Sequence, residues 1–389
     1  MTTTLRIALV GAGYAGRSHA FGYRNASMAE DLKDVHVILD TIVDTNEALA
    51  KDVAGFYGFE NVSTDLDAVL ARDDIDAVSL ALPNRLYKHV LPKVAAAGKN
   101  IFCEKPLGLD ADEAIALAKA AEDAGVINEV GFSFRRIPAL AKLHDLVQAG
   151  AFGQIRQFNA FYYADYAADP RQPLTWRYIM KDSGGGAIAD IGAHALDTVR
   201  YVVGDIEEVV SAALTTSIST RPLPAGGIGH SQKASETESG PVDNDDNAVV
   251  TLRAKSGAIG TVQLSRIATG KPNDLGIEIY GEKGWARFSS AAMDELQVYE
   301  AGVSEAGMDG ARTVIAGPAF PYFGDTAAMP GRGVGTGYGE AFIAEIQEFV
   351  RALAYGTPVT TPFSEAIPTM KVIQAAQASA RKGAPVPVE

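Results

Sequence analysis

Gly11-Ala12-Gly13-Tyr14-Ala15-Gly16 follows directly after the apolar run Leu5 to Val10 and opens a pattern of helical periodicity. Three glycines at this spacing, between a strand and a helix, are typical of a dinucleotide-binding turn. The first allows the tight turn, the second lets a pyrophosphate approach the backbone, and the third allows helix and strand to pack closely. The amide groups that begin the helix would face the phosphates. A glycine turn without a ligand is the alternative, but the flanking strand and helix favour a binding site.

The segments that follow this turn predict a parallel sheet. Short β-branched runs alternate with longer helical patterns, and the predicted strands are Leu5 to Val10, Val35 to Val43, Asp76 to Leu82, Asn100 to Glu104 and Val126 to Phe132. Near-continuous apolar strands separated by helices are typical of a parallel sheet covered on both faces. The sequence therefore predicts an α/β protein that begins with a Rossmann domain.

A second domain is predicted after a boundary near Ser133 to Pro138, so that the domains span residues 1–134 and 135–389. Glycine-containing turns join its predicted strands and suit antiparallel pairing, which predicts one large, open, mostly antiparallel sheet. The predicted elements are a helix over Ala139 to Ala149, strands over Gln154 to Tyr166, Glu207 to Thr216, Asn247 to Arg253, Ala258 to Arg266, Gly276 to Tyr280 and Trp285 to Ser289, and closing helices over Gly339 to Ala354 and Phe363 to Lys382.

Two segments, 217–247 and 301–339, resist assignment. Surface insertions are one interpretation, and a lid or a subunit contact is the other. The C-terminal helices could pack back on the first domain.

Composition excludes several classes of protein. The net charge of −14 has the wrong sign for general binding to nucleic acid, and the apolar run Leu5 to Val10 near the start is too short to span a membrane. Cys103 is the single cysteine, which excludes an internal disulfide framework and a thiolate metal cluster. With no secretion signal in the first residues, we expect a cytoplasmic protein.

An acidic residue after the second strand predicts which dinucleotide is bound. Asp44 ends the run Val35 to Val43, where its carboxylate would accept hydrogen bonds from the ribose hydroxyls and repel a 2′-phosphate. No Arg or Lys follows it directly, which favours NAD over NADP. Asp40 is the competitor, but it would lie inside the strand. Pro83-Asn84 follows another strand at the same sheet edge, so both residues are cofactor-binding candidates, with a plain loop as the alternative.

Glu104-Lys105-Pro106 ends the strand that begins at Asn100, on the edge that carries the glycine turn. We predict that Lys105 is catalytic and that Glu104 and Lys105 lie beside the cofactor. Strands often end in charged residues, which is the structural alternative. The proline ends the strand and fixes the backbone after the lysine.

A second polar group follows the triple glycine Gly184 to Gly186. Asp190 and His194 lie four residues apart on a predicted helix and therefore share a face. An aspartate one turn before a histidine can orient the imidazole and tune its pKa, although an ordinary hydrogen-bonded pair would show the same spacing. The histidines show no metal-ligand spacing, and Asp243 to Asp246 is interpreted as a polar turn, so no metal is predicted.

Together, the N-terminal glycine motif, E-K-P near residue 100 and G-G-G-x-x-x-D-x-G-x-H near residue 190 resemble the Gfo/Idh/MocA family of oxidoreductases over essentially the whole chain. The resemblance implies a Rossmann domain, NAD or NADP, and hydride transfer at a hydroxyl or keto carbon of sugars and cyclitols. It also implies a second domain that binds substrate and assembles a homodimer or homotetramer through its open sheet.

The same resemblance assigns roles to the catalytic candidates. Lys105 would hydrogen-bond the reacting oxygen, Asp190 would hold substrate and histidine, and His194 would be the general acid and base. Members commonly carry His four residues after the proline of the Pro-Asn loop, where this chain has Tyr87; His89, two positions later, is therefore a further cofactor-binding candidate.

Within the family, the segments 168–177, 240–246 and 337–340 are similar to dehydrogenases of levoglucosan-like anhydrosugars and pyranosides. Aromatic faces that stack on sugar rings and charged groups that bind hydroxyls give the substrate-pocket candidates Arg135, Tyr163, Asp165, Tyr166, Trp176 and Arg177. Some of these aromatic residues are expected only to pack the sheet. The alternative functions are a redox-assisted NAD-dependent glycosidase, a ketosugar reductase and, less favoured, a non-catalytic sugar sensor.

Overall fold

The computed structural model describes residues 2–226, 233–303 and 307–389. Two compact units make up the chain: the first contains Met1–Arg136, Gly324–Ala328 and Gly337–Ile367, and the second contains Ile137–Phe323, Met329–Thr336 and Pro368–Glu389. Among the described residues, no helix is long and apolar enough to cross a membrane.

The strands are numbered in chain order. They are β1 (Thr3–Val10), β2 (Val35–Val43), β3 (Asn61–Ser63), β4 (Ala77–Leu80), β5 (Asn100–Glu104), β6 (Asn128–Gly131), β7 (Ile155–Ala164), β8 (Ile206–Thr215), β9 (Thr220–Pro224), β10 (Ala234–Pro241), β11 (Asn247–Ala254), β12 (Ile259–Ser265), β13 (Asn273–Gly281), β14 (Gly284–Ser289), β15 (Glu295–Glu300), β16 (Arg312–Ile315) and β17 (Val386–Pro387).

The α-helices are numbered in the same way. They are α1 (Tyr14–Asn25), α2 (Glu47–Tyr57), α3 (Leu66–Leu70), α4 (Tyr87–Ala96), α5 (Ala111–Asp123), α6 (Pro138–Gln148), α7 (Met180–Ser183), α8 (Ile191–Val203), α9 (Phe323–Thr326), α10 (Tyr338–Tyr355) and α11 (Phe363–Lys382).

The first unit is built on a six-stranded sheet of order β3-β2-β1-β4-β5-β6, in which every pair is parallel. This is the strand order of a dinucleotide-binding Rossmann fold, and it confirms the predicted N-terminal architecture. In this order the carboxyl ends of β1, β2, β4 and β5 lie along one edge of the sheet. The loops that follow these strands therefore carry the cofactor-site candidates.

Helix α10 also belongs to the first unit, although it comes late in the chain. Its residues Ile346, Phe349 and Val350 join the same apolar core as Leu5 and Ile7 of β1. A Cβ at Gly22 of α1 would lie 2.8 Å from Ile346 Cγ1, so the two helices pack closely only because position 22 has no side chain.

The second unit contains a nine-stranded sheet of order β16-β15-β14-β13-β7-β12-β11-β8-β17. The pairing of β7 with β12 is parallel, and the other neighbours are antiparallel. Helix α8 packs on one face, against β7, β12 and β13. The structure thus confirms a large, mostly antiparallel sheet in the C-terminal part.

The two segments without a predicted assignment contain short elements. Strands β9 and β10 pair with each other within 217–247, and β16 and α9 lie within 301–339. Residues 227–232 and 304–306 of these segments lie outside the described residues.

Candidate active site

The glycine turn between β1 and α1 has the geometry that a dinucleotide requires. Gly11 has φ +104°, and a Cβ there would lie 2.2 Å from Ala81 O. A Cβ at Gly16 would lie 1.9 Å from Gly11 O, whereas a Cβ at Gly13 would have no neighbour within 4 Å. Gly11 and Gly16 are therefore required by the fold itself, and the open space at Gly13 suits a pyrophosphate that approaches the backbone. Tyr14 and Ala15 begin α1 directly beside it.

Asp44 lies beside this turn at the end of β2. Its Oδ2 accepts a hydrogen bond from Ala12 N (2.8 Å), and its Oδ1 accepts one from Asn46 N (2.8 Å). Because a carboxylate oxygen can accept more than one hydrogen bond, this half-buried group remains able to bind ribose hydroxyls. Asp40, the competing candidate, is fully buried and bonded to Arg6 and Arg72, so it is part of the fold.

The Pro83-Asn84 loop follows β4 at the same edge. Asn84 is buried and begins a single 3-10 turn. Tyr87 is also buried, and its hydroxyl accepts a hydrogen bond from Leu82 N (3.3 Å), so the residue at the family's histidine position supports this loop. His89 is exposed on α4.

Glu104 and Lys105 lie at the end of β5, the strand next to β4 in the sheet. Lys105 is half-buried, and the peptide bond to Pro106 is cis. Glu104 Oε1 lies 3.1 Å from His19 Nε2, and His19 Nδ1 lies 2.8 Å from Ser79 Oγ. His19 is fully buried in α1, edge-on to Phe102. This histidine anchors the residue before Lys105, and sequence reasoning missed it.

In the second unit, Asp190 is the N-cap residue of α8, and His194 follows four residues later on that helix. Tyr166 Oη donates a 2.7 Å hydrogen bond to Asp190 Oδ2, and Arg177 Nε lies 4.0 Å from the same oxygen. His194 is 6% exposed, with its ring 6.2 Å from the ring of Tyr162. The structure therefore brings together a carboxylate, a phenol and a guanidinium at the start of the helix that carries the histidine.

The other substrate-pocket candidates do not all lie near Asp190. The guanidinium of Arg177 lies 4.5 Å from the centre of the Trp176 ring. Trp176 is therefore adjacent, through Arg177, to Asp190. Asp165 Oδ2 accepts a hydrogen bond from Gly270 N (3.3 Å). Arg135 lies in the first unit, where it is buried and paired with Glu365 at 3.1 Å.

The structure does not bring Tyr163 to this group. Along β7, Tyr162 and Ala164 are buried, while Phe161 and Tyr163 stack on each other with centroids 5.0 Å apart. Tyr163 Oη lies 2.9 Å from Gln263 Oε1 of β12. Since side chains alternate across a strand, Tyr163 lies on the sheet face opposite α8, and its neighbour Tyr162 faces His194.

Two family models match the chain. One, described as an oxidoreductase family with an NAD-binding Rossmann fold, matches residues 5–132, and the other, the GFO/IDH/MocA C-terminal domain, matches residues 140–287. Levoglucosan dehydrogenase of Pseudarthrobacter phenanthrenivorans is 36% identical over 380 residues, which cover 97% of this chain and 96% of that protein. The chain belongs to the Gfo/Idh/MocA family.

Further Gfo/Idh/MocA relatives extend over the whole length. Inositol 2-dehydrogenase of Rhizobium meliloti is 28% identical, with 96% of each chain covered. The structure of levoglucosan dehydrogenase in complex with NADH and levoglucosan superposes with a TM-score of 0.90 at 35% identity, covering 99% of this chain and 100% of that one. The predicted family, fold class, oxidoreductase class and NAD cofactor are confirmed.

Among the described residues, no group of three or more His, Cys, Asp or Glu side chains is arranged to hold a metal ion.

Proposed function

We propose that this protein is an NAD-dependent dehydrogenase that oxidises a ring hydroxyl of a pyranose, a levoglucosan-like anhydrosugar, a glycoside or an inositol to the ketone. The observation that carries the proposal is the Tyr166–Asp190–Arg177 group at the start of the helix that holds His194. Relatives that cover nearly the whole chain are a levoglucosan dehydrogenase and an inositol 2-dehydrogenase, which supports a polyhydroxylated ring as substrate.

The first unit supplies the cofactor site of the proposal. Gly11, Gly13 and Gly16, with Tyr14 and Ala15 at the start of α1, would hold the pyrophosphate, and Asp44 would bind the adenosine ribose. Pro83, Asn84, Glu104 and Lys105 follow neighbouring strands on the edge where ligands of such sheets bind, with exposed His89 the weakest candidate of the set. NAD, when bound, accepts the hydride. A carboxylate at position 44 favours NAD over NADP because it repels a 2′-phosphate.

Three residues perform the chemistry in this proposal. His194 removes the proton of the reacting hydroxyl, and the ammonium group of Lys105 stabilises the oxygen as negative charge develops on it. Asp190 binds substrate and orients the histidine. Tyr166 holds Asp190 in place, since the hydrogen bond between them fixes the carboxylate.

The loop after β7 supplies substrate contacts. Trp176 offers an aromatic face for a sugar ring, while Arg177 and Asp165 bind hydroxyl groups. Arg135 and Tyr163 are weaker members of the set, because one is paired with Glu365 and the other lies on the open face of the sheet.

Turnover with a panel of sugars, glycosides, anhydrosugars and inositols tests the proposal. With NAD, the absorbance of NADH at 340 nm should appear with at least one of these compounds. With NADP in place of NAD, the absorbance of NADPH should appear more slowly. Lys105→Ala should lower kcat by about 10²–10³-fold while NAD still binds; Lys88→Ala, at an exposed lysine of α4, is the control. An absence of NADH with every compound, or full activity of Lys105→Ala, contradicts it.

The alternative functions give different results in the same panel. A redox-assisted glycosidase releases the sugar from a glycoside without net NADH, and a ketosugar reductase consumes NADH with the ketone. A sensor has no need of the lysine, so the presence of Lys105, Asp190 and His194 together favours an enzyme.

We also propose that the protein is a cytoplasmic homodimer or homotetramer that assembles through the open face of the nine-stranded sheet. Val249, Ile259 and Tyr280 are exposed apolar side chains on the face that carries Phe161, as the strand registers show. Such a face suits contact with a second copy of the chain. Light scattering should give two or four times the monomer mass, and Val249→Glu should reduce it; a monomeric wild type contradicts the assembly.

A further inference from the structure

The turn Asp243–Asp246, which precedes β11, binds the loops that carry the site residues of the second unit. Asp243 Oδ1 accepts a hydrogen bond from Met180 N (2.5 Å), at the start of α7. Asp246 Oδ2 accepts bonds from Ser217 N and Ile218 N, both at 2.8 Å. The sequence predicts a polar turn here. The structure shows that the side chains of this turn accept hydrogen bonds from the backbone of several loops.

Asn244 joins the two loops that matter most for the site. Its Nδ2 lies 2.8 Å from Arg177 O, 2.9 Å from Ser183 Oγ and 3.2 Å from Gly185 O. Arg177 belongs to the loop after β7, and Gly185 belongs to the glycine loop that leads to Asp190. Asn244 is only 2% exposed, so water cannot readily replace these bonds.

The orientation of the Asn244 amide is fixed by a buried arginine. Arg266 Nη2 donates to Asn244 Oδ1 (2.8 Å), Nε donates to Asp246 Oδ1 (2.9 Å), and Nη1 donates to Arg177 O (3.1 Å). Because arginine has no acceptor, the oxygen of the amide must face Arg266 and the nitrogen must face the two loops.

Asp245 extends the attachment of the glycine loop. Its carboxylate accepts bonds from Gly186 N and Ile188 N, both at 2.8 Å, and its backbone oxygen accepts one from Ala187 N. A Cβ at Gly186 would lie 1.8 Å from Asp245 O, so the two segments touch backbone to backbone. Asp190 N in turn donates to Gly186 O (3.0 Å). The N-cap residue of α8 is therefore bonded directly to the glycine that contacts Asp245.

Building on the proposed function, we propose that Asn244 is a positioning residue for the substrate: it sets the distance between Arg177 and the loop that carries Asp190. Both carbonyls are acceptors and cannot bond to each other, and Asn244 Nδ2 is a buried donor that bonds to both. Arg266 reinforces this link, since it donates to Arg177 O and to the oxygen of the Asn244 amide. Its loss displaces Arg177 and Trp176 relative to Asp190, and the sugar loses part of its binding site.

Asn244→Asp is the sharpest variant because it keeps the shape and replaces the donor by an acceptor that faces carbonyl oxygens. Asn247→Asp is its matched control. Asn247 Nδ2 also lies near two oxygens, those of Ser217 (3.1 Å) and Thr215 (3.4 Å), but both are hydroxyls that can turn and donate to a carboxylate. If Asn244→Asp does not fold, Asn244→Ser, which retains one hydroxyl donor without charge, replaces it.

Tryptophan fluorescence tests the positioning without reference to catalysis. The chain has two tryptophans, so in a Trp285→Phe background the emission reports Trp176 alone, with the Arg177 cation 4.5 Å from its ring. We expect Asn244→Asp to shift the emission maximum and increase quenching by acrylamide, and Asn247→Asp to change neither. Equal spectra for Asn244→Asp and its parent would overturn the inference.

Steady-state kinetics with a substrate from the panel test the consequence. The KM for the sugar should rise about tenfold or more in Asn244→Asp, with a smaller fall in kcat and an unchanged KM for NAD. A purely structural role would lower the melting temperature and the active fraction but leave the KM for the sugar unchanged, and that result contradicts the inference. If the wild type oxidises no compound of the panel, the proposed function fails, and the fluorescence comparison alone decides whether Asn244 positions Trp176.

Discussion

Tyr166 donates a 2.7 Å hydrogen bond to Asp190, the residue directly before helix α8. Burial and the neighbouring Asp190 carboxylate raise the pKa of Tyr166 well above its ordinary value. The phenol therefore keeps its proton at neutral pH and acts as the donor in this bond. Asp190 is held by this bond from one side, with the Arg177 guanidinium at 4.0 Å.

Tyr166→Phe removes this donor and leaves the ring. Because a hydrogen bond to a charged group is worth more than a neutral one, we expect kcat/KM for the sugar to fall by about tenfold or more. The affinity for NAD should not change. Tyr355→Phe is the matched control, since Tyr355 donates a hydrogen bond to Asp31 O and belongs to none of the candidate sites. Equal losses in the two variants would show that Asp190 does not depend on Tyr166.

Gly13 and Gly16 of the first turn should differ sharply when each is replaced by alanine. Gly13→Ala has free space for its Cβ, so the protein should fold normally but bind NAD at least about tenfold more weakly, as the methyl group meets the pyrophosphate. In Gly16→Ala the Cβ would lie 1.9 Å from Gly11 O, and the fold itself should be lost. Calorimetric titration with NAD and thermal unfolding separate the two effects.

Gly55→Ala provides the control for a glycine that nothing crowds. This residue lies within α2, and its Cβ would have no neighbour within 4 Å. Alanine should stabilise the helix by about 0.5–1 kcal/mol without any effect on NAD affinity. Weaker NAD binding in Gly55→Ala would mean that the change at Gly13 does not act through the pyrophosphate.

Asp44 should determine the preference between NAD and NADP. In Asp44→Ser the carboxylate that repels a 2′-phosphate is absent, so the ratio of kcat/KM for NADP to that for NAD should rise by about tenfold or more. The KM for NAD should also rise, because two ribose acceptors and the bond to Ala12 N are weakened. Kinetics with both cofactors measure this, and an unchanged ratio would assign the preference to another residue.

Much of the first unit could be predicted from sequence because buried parallel strands appear as continuous apolar runs. The predicted bounds of β2 and β5 are those of the structure, as are those of α11. The sequence suggested that the C-terminal helices could pack on the first domain, but not that α10 packs at Gly22, because that contact joins residues more than three hundred positions apart and leaves no local pattern.

In the candidate site, too, local patterns could be predicted from sequence and contacts between distant residues could not. The Asp190 and His194 spacing and the glycine turn were visible because the chemistry is local. Choosing Tyr162 rather than Tyr163 required knowing which face of β7 meets α8, and two adjacent tyrosines carry no such signal. Asn244 was interpreted as part of a polar turn, since its partners Arg177 and Gly185 are distant in sequence. His19 could have been found from one sequence signal, namely that it is a histidine within the helix that follows the glycine turn.

Asp40 should contribute more to stability than any exposed ion pair near it. Its side chain is fully buried and accepts hydrogen bonds from Arg6, Arg72 and Thr41. Burial acts to raise the pKa of Asp40, but the hydrogen bonds from Arg72, Thr41 and Arg6 outweigh it and hold the pKa at about 2. The ionised form is thus favoured in the folded state, and its stabilisation is present above about pH 4 and is lost as the pH falls through about 2.

Asp40→Asn should therefore lower the free energy of unfolding at pH 7 by about 2–4 kcal/mol, because two arginines lose a buried carboxylate. The control is Asp74→Asn: Asp74 pairs with the same Arg72 at 2.8 Å but is 55% exposed, so its removal should lower the free energy of unfolding by about 1 kcal/mol or less. Urea unfolding at pH 7 and pH 3 measures both. The difference between wild type and Asp40→Asn should shrink at pH 3, since the wild-type stabilisation begins to be lost there; a difference that grows on acidification would contradict the assignment of Asp40 as a buried, ionised group.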